Sequence, residues 1–305
     1  MKAIRYIGVS FLKGKIQLAE IEHKRKKRTV TVLAERDTAV DFAQGANLSA
    51  THPQLGIFVS EMKSLIRQYK VTAENISFAL PPDPMFINII PVDPGLQGKD
   101  LSQYLQWEMN QYFPDASPKD FFIGADSLPL ENKTAQQTFM VAVRRGIAAF
   151  LQKTVTGLKL KLNIIDIDQF STEKTLITNY PEILEHEIVL FGLRKNGVDA
   201  SLIHEGAMTD YRAFLYNGDS DPTKPIMEYL KYLKQKNTDT PAAILLHGID
   251  IAHDFVVSLR TTTGVKQTLE MNSLRKIRTS DRLSKQFMKE SYRFAAAIGL
   301  ALRAK

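Results

Sequence analysis

The chain has 305 residues, 44% hydrophobic and 24% charged, an ordinary globular composition in a length that exceeds one typical domain of about 100 to 200 residues. That argues against disorder, and no stretch approaches the roughly 20 apolar residues needed to span a bilayer. With no cysteine, disulfide scaffolds, thiolate metal sites, iron–sulfur clusters and cysteine nucleophiles are excluded. The net charge of +7 is concentrated in Lys24 to Arg28 and in residues 274–305, leaving the remaining body acidic. Such regions can meet an anionic membrane face, an acidic protein or nucleic acid. A charged hairpin tip explains the first run and a solvated helix face the second, and no aromatics interleave either cluster as a single-strand stacking platform requires. The expected partners therefore include no nucleic acid. The opening MKAIRYIGVSF lacks the apolar run of a signal peptide, so the expected location is the cytoplasm.

In chain order, residues 3–11, 15–22 and 29–35 are short β-prone runs with partial alternation, predicting a three-strand meander. Leu55, Phe58, Val59, Met62, Leu65, Ile66 and Tyr69 then recur at three- and four-residue spacing, one apolar stripe of a helix. NISFAL reads as a strand. The second half repeats this order: EIVLFGL, VDASLIHEG and MTDYRAFL are strand-like, residues 223–236 are helical with Ile226, Tyr229, Leu230 and Leu233 on one face, and AAILLHG is a buried strand. A unit of three strands, helix and strand that occurs twice, each followed by another helix, is the layout of the ribonuclease-H-like fold as doubled in actin, Hsp70 and sugar kinases.

Between the halves lies an extra segment. PPDPMFINIIPVDPG flanks a strand-like core with prolines, which marks where the chain leaves the first unit. Residues 100–113 form a helix with Asp100 as its cap and Pro114 as its stop. FFIGADSL and TFMVAVRR are two more strands, and residues 146–157 a helix. LNIIDID returns as a buried strand, followed by a helix from about Gln169 to Asn179. The expected class is α/β, actin-like with a small inserted α/β subdomain. Its parts are 1–81, insert 82–161, first-lobe remainder 162–185 and 288–305, and second lobe 186–287.

Actin-like ATPases carry a phosphate-binding hairpin after the first strand, typically GIDIGSSSVK, in which small residues admit the phosphates and the aspartate organises magnesium. GVSFLKGKIQ, residues 8–17, lies on that pattern with Ser10 at the aspartate and Leu12 at a glycine. The second hairpin, VLFGLRKNGV, has Leu190 or Phe191 where an acid belongs, and HGID at 247–250 replaces the first glycine of the adenosine loop by His247. The residues left for a degenerate nucleotide site are Gly8, Ser10, Lys13, Gly14, Lys15, Gly192, Arg194 and Gly248, although a strand-to-strand turn calls for glycine and polar residues by itself. Phosphoryl transfer rests on positioned metal and charge, so loss of both acids points to a protein that is not an enzyme.

ISFALP leading to FINIIPV, SQYLQWEMNQYFP with Glu108 and Tyr112 to Pro114, IIDIDQFSTEK with Asp166 and Asp168, and the terminal SYRFAAAIGLALR follow one another over nearly the whole chain. In this it resembles the PilM family of actin-like type IV pilus assembly proteins, related to the cytoplasmic region of GspL. The resemblance implies a scaffold, peripheral to the inner membrane, that binds the N-terminal cytoplasmic tail of a PilN-like membrane protein in a groove involving the insert. It also implies links to a motor ATPase or platform protein, and it is compatible with a homodimer and with bound ATP and magnesium. Phe86, Ile87, Ile89, Tyr104, Trp107, Glu108 and Tyr112 are the candidate groove residues, with Trp107, the one tryptophan, either an anchor or core. The alternatives are an ATP-binding protein with slow hydrolysis or polymerisation using Lys13, Lys15 and Asp168, and a GspL-like secretion component.

Histidines at 23, 52, 186, 204, 247 and 253 match no metal-binding spacing, even where His247 and His253 stand close to Asp250 and Asp254. Asp166 and Asp168 would share one side of a continuing strand, as nuclease ligands do, but the first strand offers Ser10 where such a site needs a third acid, and the pair reads instead as a strand-end turn and a helix cap. No GxSxG, Walker A or flanked GxGxxG motif is present.

Overall fold

The computed structural model describes residues 3–128, 136–216, 221–236, 238, 240–249 and 251–303; Asp250 and residues 304–305, used in the readings above, lie outside the described residues. Strands β1 (Ile4–Leu12), β2 (Lys15–Lys24) and β3 (Lys27–Asp37) form the expected meander. Lys13 and Gly14 turn the first hairpin with φ 50° and 71°, the left-handed pair whose twist matches that of the flanking strands. Helix α1 (Leu55–Gln68) buries Phe58, Met62 and Leu65, and β4 (Asn75–Leu80) returns parallel to β1.

The insert follows as β5 (Met85–Val92), α2 (Gly98–Tyr112), β6 (Phe121–Ser127) and β7 (Gln136–Arg144). Helix α2 starts before the expected cap: Gln97 holds that position without a side-chain bond, and Asp100 sits in the first turn, where its charge still favours the helix N-terminus. After α3 (Arg145–Leu158), β8 (Lys161–Ile167) joins β4 in parallel and α4 (Asp168–Asn179) follows. The second lobe is β9 (Ile188–Arg194), β10 (Gly197–His204), β11 (Ala207–Leu215), α5 (Thr223–Gln235), β12 (Ala243–Gly248), α6 (His253–Thr263) and β13 (Gln267–Glu270). The chain ends through β14 (Arg278–Thr279), α7 (Lys285–Lys289) and α8 (Ala295–Arg303).

Among the described residues the strands form sheets ordered β14-β3-β2-β1-β4-β8, β11-β10-β9-β12-β13 and β5-β7-β6. Without β14 the first two sheets have the same connectivity, so the duplication read from the sequence is real. Packing draws the subdomain boundaries differently from the sequence. Ile147, Phe150, Leu151 and Val155 of α3 pack with Phe58 and Met62 of α1 in the first-lobe core, so the insert's own layer is β5 to β7. Leu274, Ile277 and Leu283 cover Ile21 and Val30, so the chain rejoins the first lobe well before residue 288.

The lobes exchange helices. Leu176 of α4 packs on the second sheet against Ile188, Leu190 and Leu245, whereas Ala297, Ile298 and Ala301 of α8 pack on the first against Tyr6, Ala19 and Ile21. A Cβ on Gly8 of β1 would stand 1.9 Å from the Ala297 carbonyl oxygen, and one on Gly299 of α8 would stand 1.8 Å from that of Ser171 in α4. Only glycine permits either approach. Gly8→Ala is accordingly expected to cost about 3 kcal/mol or more in denaturant unfolding. Gly56→Ala, on the open face of α1 with nothing within 4 Å, should instead gain up to about 1 kcal/mol.

Candidate functional site

Two spaces between elements bear on function. The first is where the β1–β2 and β9–β10 hairpins face each other. Arg194, the last residue of β9, donates through Nε to Asp199 Oδ2 at 2.6 Å, through Nη2 to Asp199 Oδ1 at 3.2 Å, and through Nη1 to Asp83 Oδ2 at 2.7 Å. Tyr211 donates its hydroxyl to Asp199 at 3.1 Å. The ion pairs tie the second lobe to the point where the chain leaves β4 for the insert. Burial opposes the charge on Arg194, but the carboxylates of Asp199, Asp83 and Asp168 outweigh it and raise its pKa. For Asp168, burial, reinforced by the Asp199 charge, outweighs the attraction of Arg194 and pushes its carboxyl well above the usual range.

Next to this cluster, Gln169 donates to the Leu190 carbonyl at 3.0 Å and the Ser201 hydroxyl at 2.8 Å and accepts from His247 Nε2 at 2.7 Å. Nε2 donates because an amide oxygen can only accept, and burial, which lowers the ring's pKa to about 3, keeps it neutral with its one proton at that nitrogen. What remains among Ser10, Leu12, Asp168, Gly192, Arg194 and His247 is a void of about 10 Å³. At its mouth, Lys13, Lys15, Asp41, Asp83 and Lys195 border a cavity of about 170 Å³, below the roughly 300 Å³ at which ligand pockets begin.

The nucleotide-loop candidates therefore divide. Gly8 serves helix packing. Gly192 leaves room for the Gln169–His247 bridge, since its Cβ would stand 2.6 Å and 2.8 Å from those side chains. Gly248, at φ 106°, lies on the Leu193 backbone. Lys13 and Gly14 form the turn, and Lys15 pairs with Glu35 at 3.1 Å and Asp37 at 3.7 Å. Ser10 and Arg194 do line the small void. Asp166 and Asp168 do not share a side, because β8 ends between them: Asp166 accepts from Ser171 and Arg303, each through Oδ2, at 2.9 Å and 2.7 Å, while Asp168 opens α4 toward the hairpins. Asp83, Asp199 and Tyr211 escaped the sequence reading. A lone aspartate within the apolar run GVDASLI was the signal for the second of these.

The second space is a groove of about 690 Å³ between the insert sheet and the first lobe. Phe122, Gly124 and Asp126 of β6, opposite Val143, Val141 and Phe139 of β7, form its floor. Ile165 to Ile167 of β8, Phe170 and Glu173 of α4, and Arg303 form the wall. Among the described residues β6 and β8 are both edge strands, so unpaired backbone groups border the groove from either side. Gly124 has nothing within 4 Å of its Cβ position. Burial pushes Glu173 up to about 7 against the attraction of Arg303.

The seven candidate groove residues separate across the insert sheet. Phe86 and Tyr112 stack at 4.7 Å, Tyr104 donates to Glu108 at 2.7 Å and to the Pro91 carbonyl at 3.0 Å, and Trp107, 55% exposed, lies 5.9 Å from Tyr104. These five belong to the α2 side. Ile87 and Ile89 point to the opposite face, where they pack with Phe139, Phe170, Met208 and Tyr211. Phe122, Gly124, Val141 and Glu173 were not read from the sequence, because nothing in β6 or β7 marks which face stays uncovered.

No family model matches the sequence, and no curated protein matches it significantly. Among solved structures, a chain described as "PilM-PilN type IV pilus biogenesis complex" is similar over 98% of this chain and 98% of its own, with TM-score 0.80 and 17% identity. The fold is actin-like. A Bacteroides thetaiotaomicron protein described as having an actin-like ATPase fold and unknown function aligns over 94% and 95% of the two chains at TM-score 0.50 and 9% identity. The cytoplasmic domain of EpsL, an inner membrane component of the Vibrio cholerae type II secretion system, aligns over 88% and 98% at 0.46 and 9%. No helix among the described residues is long and apolar enough to cross a membrane.

The neutral His247 gives the hairpin site a pH signature. Its folded pKa of about 3 lies below the ordinary histidine value of 6.5, so the unfolded chain takes up the proton first and stability falls as pH drops below about 6.5. Between pH 7 and pH 5 this group should cost about 2 kcal/mol, a loss that His247→Gln removes in urea unfolding at the two pH values.

Proposed function

We propose that this protein is a non-catalytic actin-fold scaffold of a type IV pilus or related secretion platform. It holds the extended N-terminal cytoplasmic tail of a PilN-like inner-membrane protein and links that protein to the motor. The observation that carries this reading is the contrast between the two spaces. Where an actin-like nucleotide would sit, Arg194 and its carboxylates fill the volume, whereas the groove beside the insert stays open between two strand edges.

The electrostatics agree with the steric argument. Three acids, Asp83, Asp168 and Asp199, surround one guanidinium, so a polyphosphate entering this space would displace Arg194 and face the carboxylates it leaves behind. The groove has the opposite character. An extended segment can pair its backbone with β6 or β8 and place alternate side chains on Val141, Val143 and Phe122. The likeness to a chain of a PilM–PilN complex supports that choice of partner.

Two measurements test the reading separately. Titration calorimetry with MgATP is expected to show no micromolar binding; clear heat at that level would restore the ATP-binding alternative. In peptide capture with the tail of the neighbouring membrane protein, Gly124→Trp should weaken binding at least about tenfold by filling the groove. Trp107→Glu, on the exposed α2 side, should weaken it less. Unchanged affinity in Gly124→Trp would remove the tail from this groove.

A further inference from the structure

The two basic regions lie far apart in sequence, but β14 brings them to one place. Arg278 is paired with Thr29 and Thr279 with Val30, and Ser280 donates its backbone N–H to the Val30 carbonyl at 3.0 Å. Buried Ile277 and Leu283 anchor this segment on the face of the first sheet with Ile21 and Val30. Arg278 thereby stands next to the β2–β3 hairpin, and Arg282 follows two residues after the Ser280 contact.

At the hairpin tip Lys24, Arg25, Lys26 and Lys27 are exposed and Arg28 half-buried. Lys24 is directly opposite Lys27, a like-charge pair that opposes strand pairing. Arg25 occupies the left-handed region at φ 56°, and Arg28 caps the turn by donating to the Arg25 carbonyl at 3.1 Å. Neutralisation is provided elsewhere: Arg275 and Lys276 both pair with Glu182, whereas Asp281 is the one acid between residues 271 and 285. Beside the tip, Ile4, opposite His23, is 51% exposed.

We propose that this joined surface, Lys24 to Arg28 with Arg278 and Arg282, docks the protein on an anionic phospholipid bilayer. The chemistry that fits is a plane of negative headgroups over an apolar layer. Clusters of about 4 to 8 Lys and Arg are what such surfaces attract, and an exposed isoleucine at their border suits the headgroup boundary. A nucleic acid is the poorer match, because the tip from Lys24 to Arg28 carries no aromatic side chain and Tyr6, which packs on His23 beside it, is buried, so no ring interleaves these cations for base stacking. The surface lies on the opposite edge of the first sheet from the tail groove, β3 and β14 against β8. The inference therefore stands apart from the reading of that groove.

Co-sedimentation with vesicles tests it. The full-length protein is expected to sediment with mixed phosphatidylserine–phosphatidylcholine vesicles and not with pure phosphatidylcholine, and to be released as salt rises. The quadruple change Lys24→Gln, Arg25→Gln, Lys26→Gln and Lys27→Gln should lower partitioning at least about tenfold, and the pair Arg278→Gln and Arg282→Gln should lower it measurably. All six positions are exposed, and capture of the tail peptide by both variants should match that of the unaltered protein. Absence of sedimentation at low salt, equal sedimentation with neutral vesicles, or insensitivity to both sets of changes would overturn the proposal. So would tighter retention on duplex DNA or RNA than on the anionic vesicles.

Discussion

Three backbones are stacked at a distance that only glycine allows: β1 against α8 at Gly8, and α8 against α4 at Gly299. Because α4 belongs by packing to the second sheet and α8 to the first, this contact is where the two lobes are joined. Core packing is intolerant of even a methyl group, so the lobes have little freedom to shift along that seam. The spacing of the two hairpins, and hence the volume left between them, is set by this stack before any hairpin side chain is considered.

Arg194 then decides what the remaining volume does. A buried ion pair contributes little net stability compared with apolar packing, but losing one partner is costly. Its value here is geometric. One guanidinium holds Asp199 on its own hairpin and Asp83 at the exit to the insert, so second lobe, first lobe and insert meet at a single group. Phe139, Leu128, Met208 and Tyr211 close the same junction from the insert side. With one end of the insert fixed in this way, its sheet stands away from β8, and the groove between them is a consequence of that fixed angle.

The meander, the stripe of α1, the repeat in the second half and the insert were legible because each follows from local periodicity and turn chemistry. Lys13-Gly14 read as a turn for the same reason. Legibility ended where a feature depends on contacts between distant segments. The strand β14 has two residues and no pattern of its own; it exists because Ile277 and Leu283 are buried on either side of it. The same limit explains the helix α3, whose apolar face reads identically whether it covers the insert or α1. At the site, the absence of acids at Ser10 and at Leu190 or Phe191 was visible, but the acids that do enter the space come from β10, from the start of α4 and from the loop after β4. Asp166 and Asp168 show both sides of this: their reading as a strand end and a helix start agrees with the change from strand to helix at Ile167, whereas the pairing of Asp166 with the distant Arg303 had no local signal.

Both proposed surfaces arise from how the first sheet ends. An exposed strand edge invites unwanted pairing, and proteins blunt it with charge or cover it with other chain. On one side β14 covers β3 only at Thr29 and Val30, yet the cations gather at the hairpin tip and after β14 rather than along the remaining length of β3. Edge protection alone does not account for that placement, nor for Lys24 facing Lys27. On the other side β8 is sheltered by the insert, but at a distance that leaves about 690 Å³ between them instead of a sealed interface. A sheet whose edges needed only protection would have been closed at β8 and charged along β3. This one is open where a strand can enter and charged where a flat anionic surface can approach, which is the arrangement that the proposed pairing of a tail groove with a membrane-facing surface calls for.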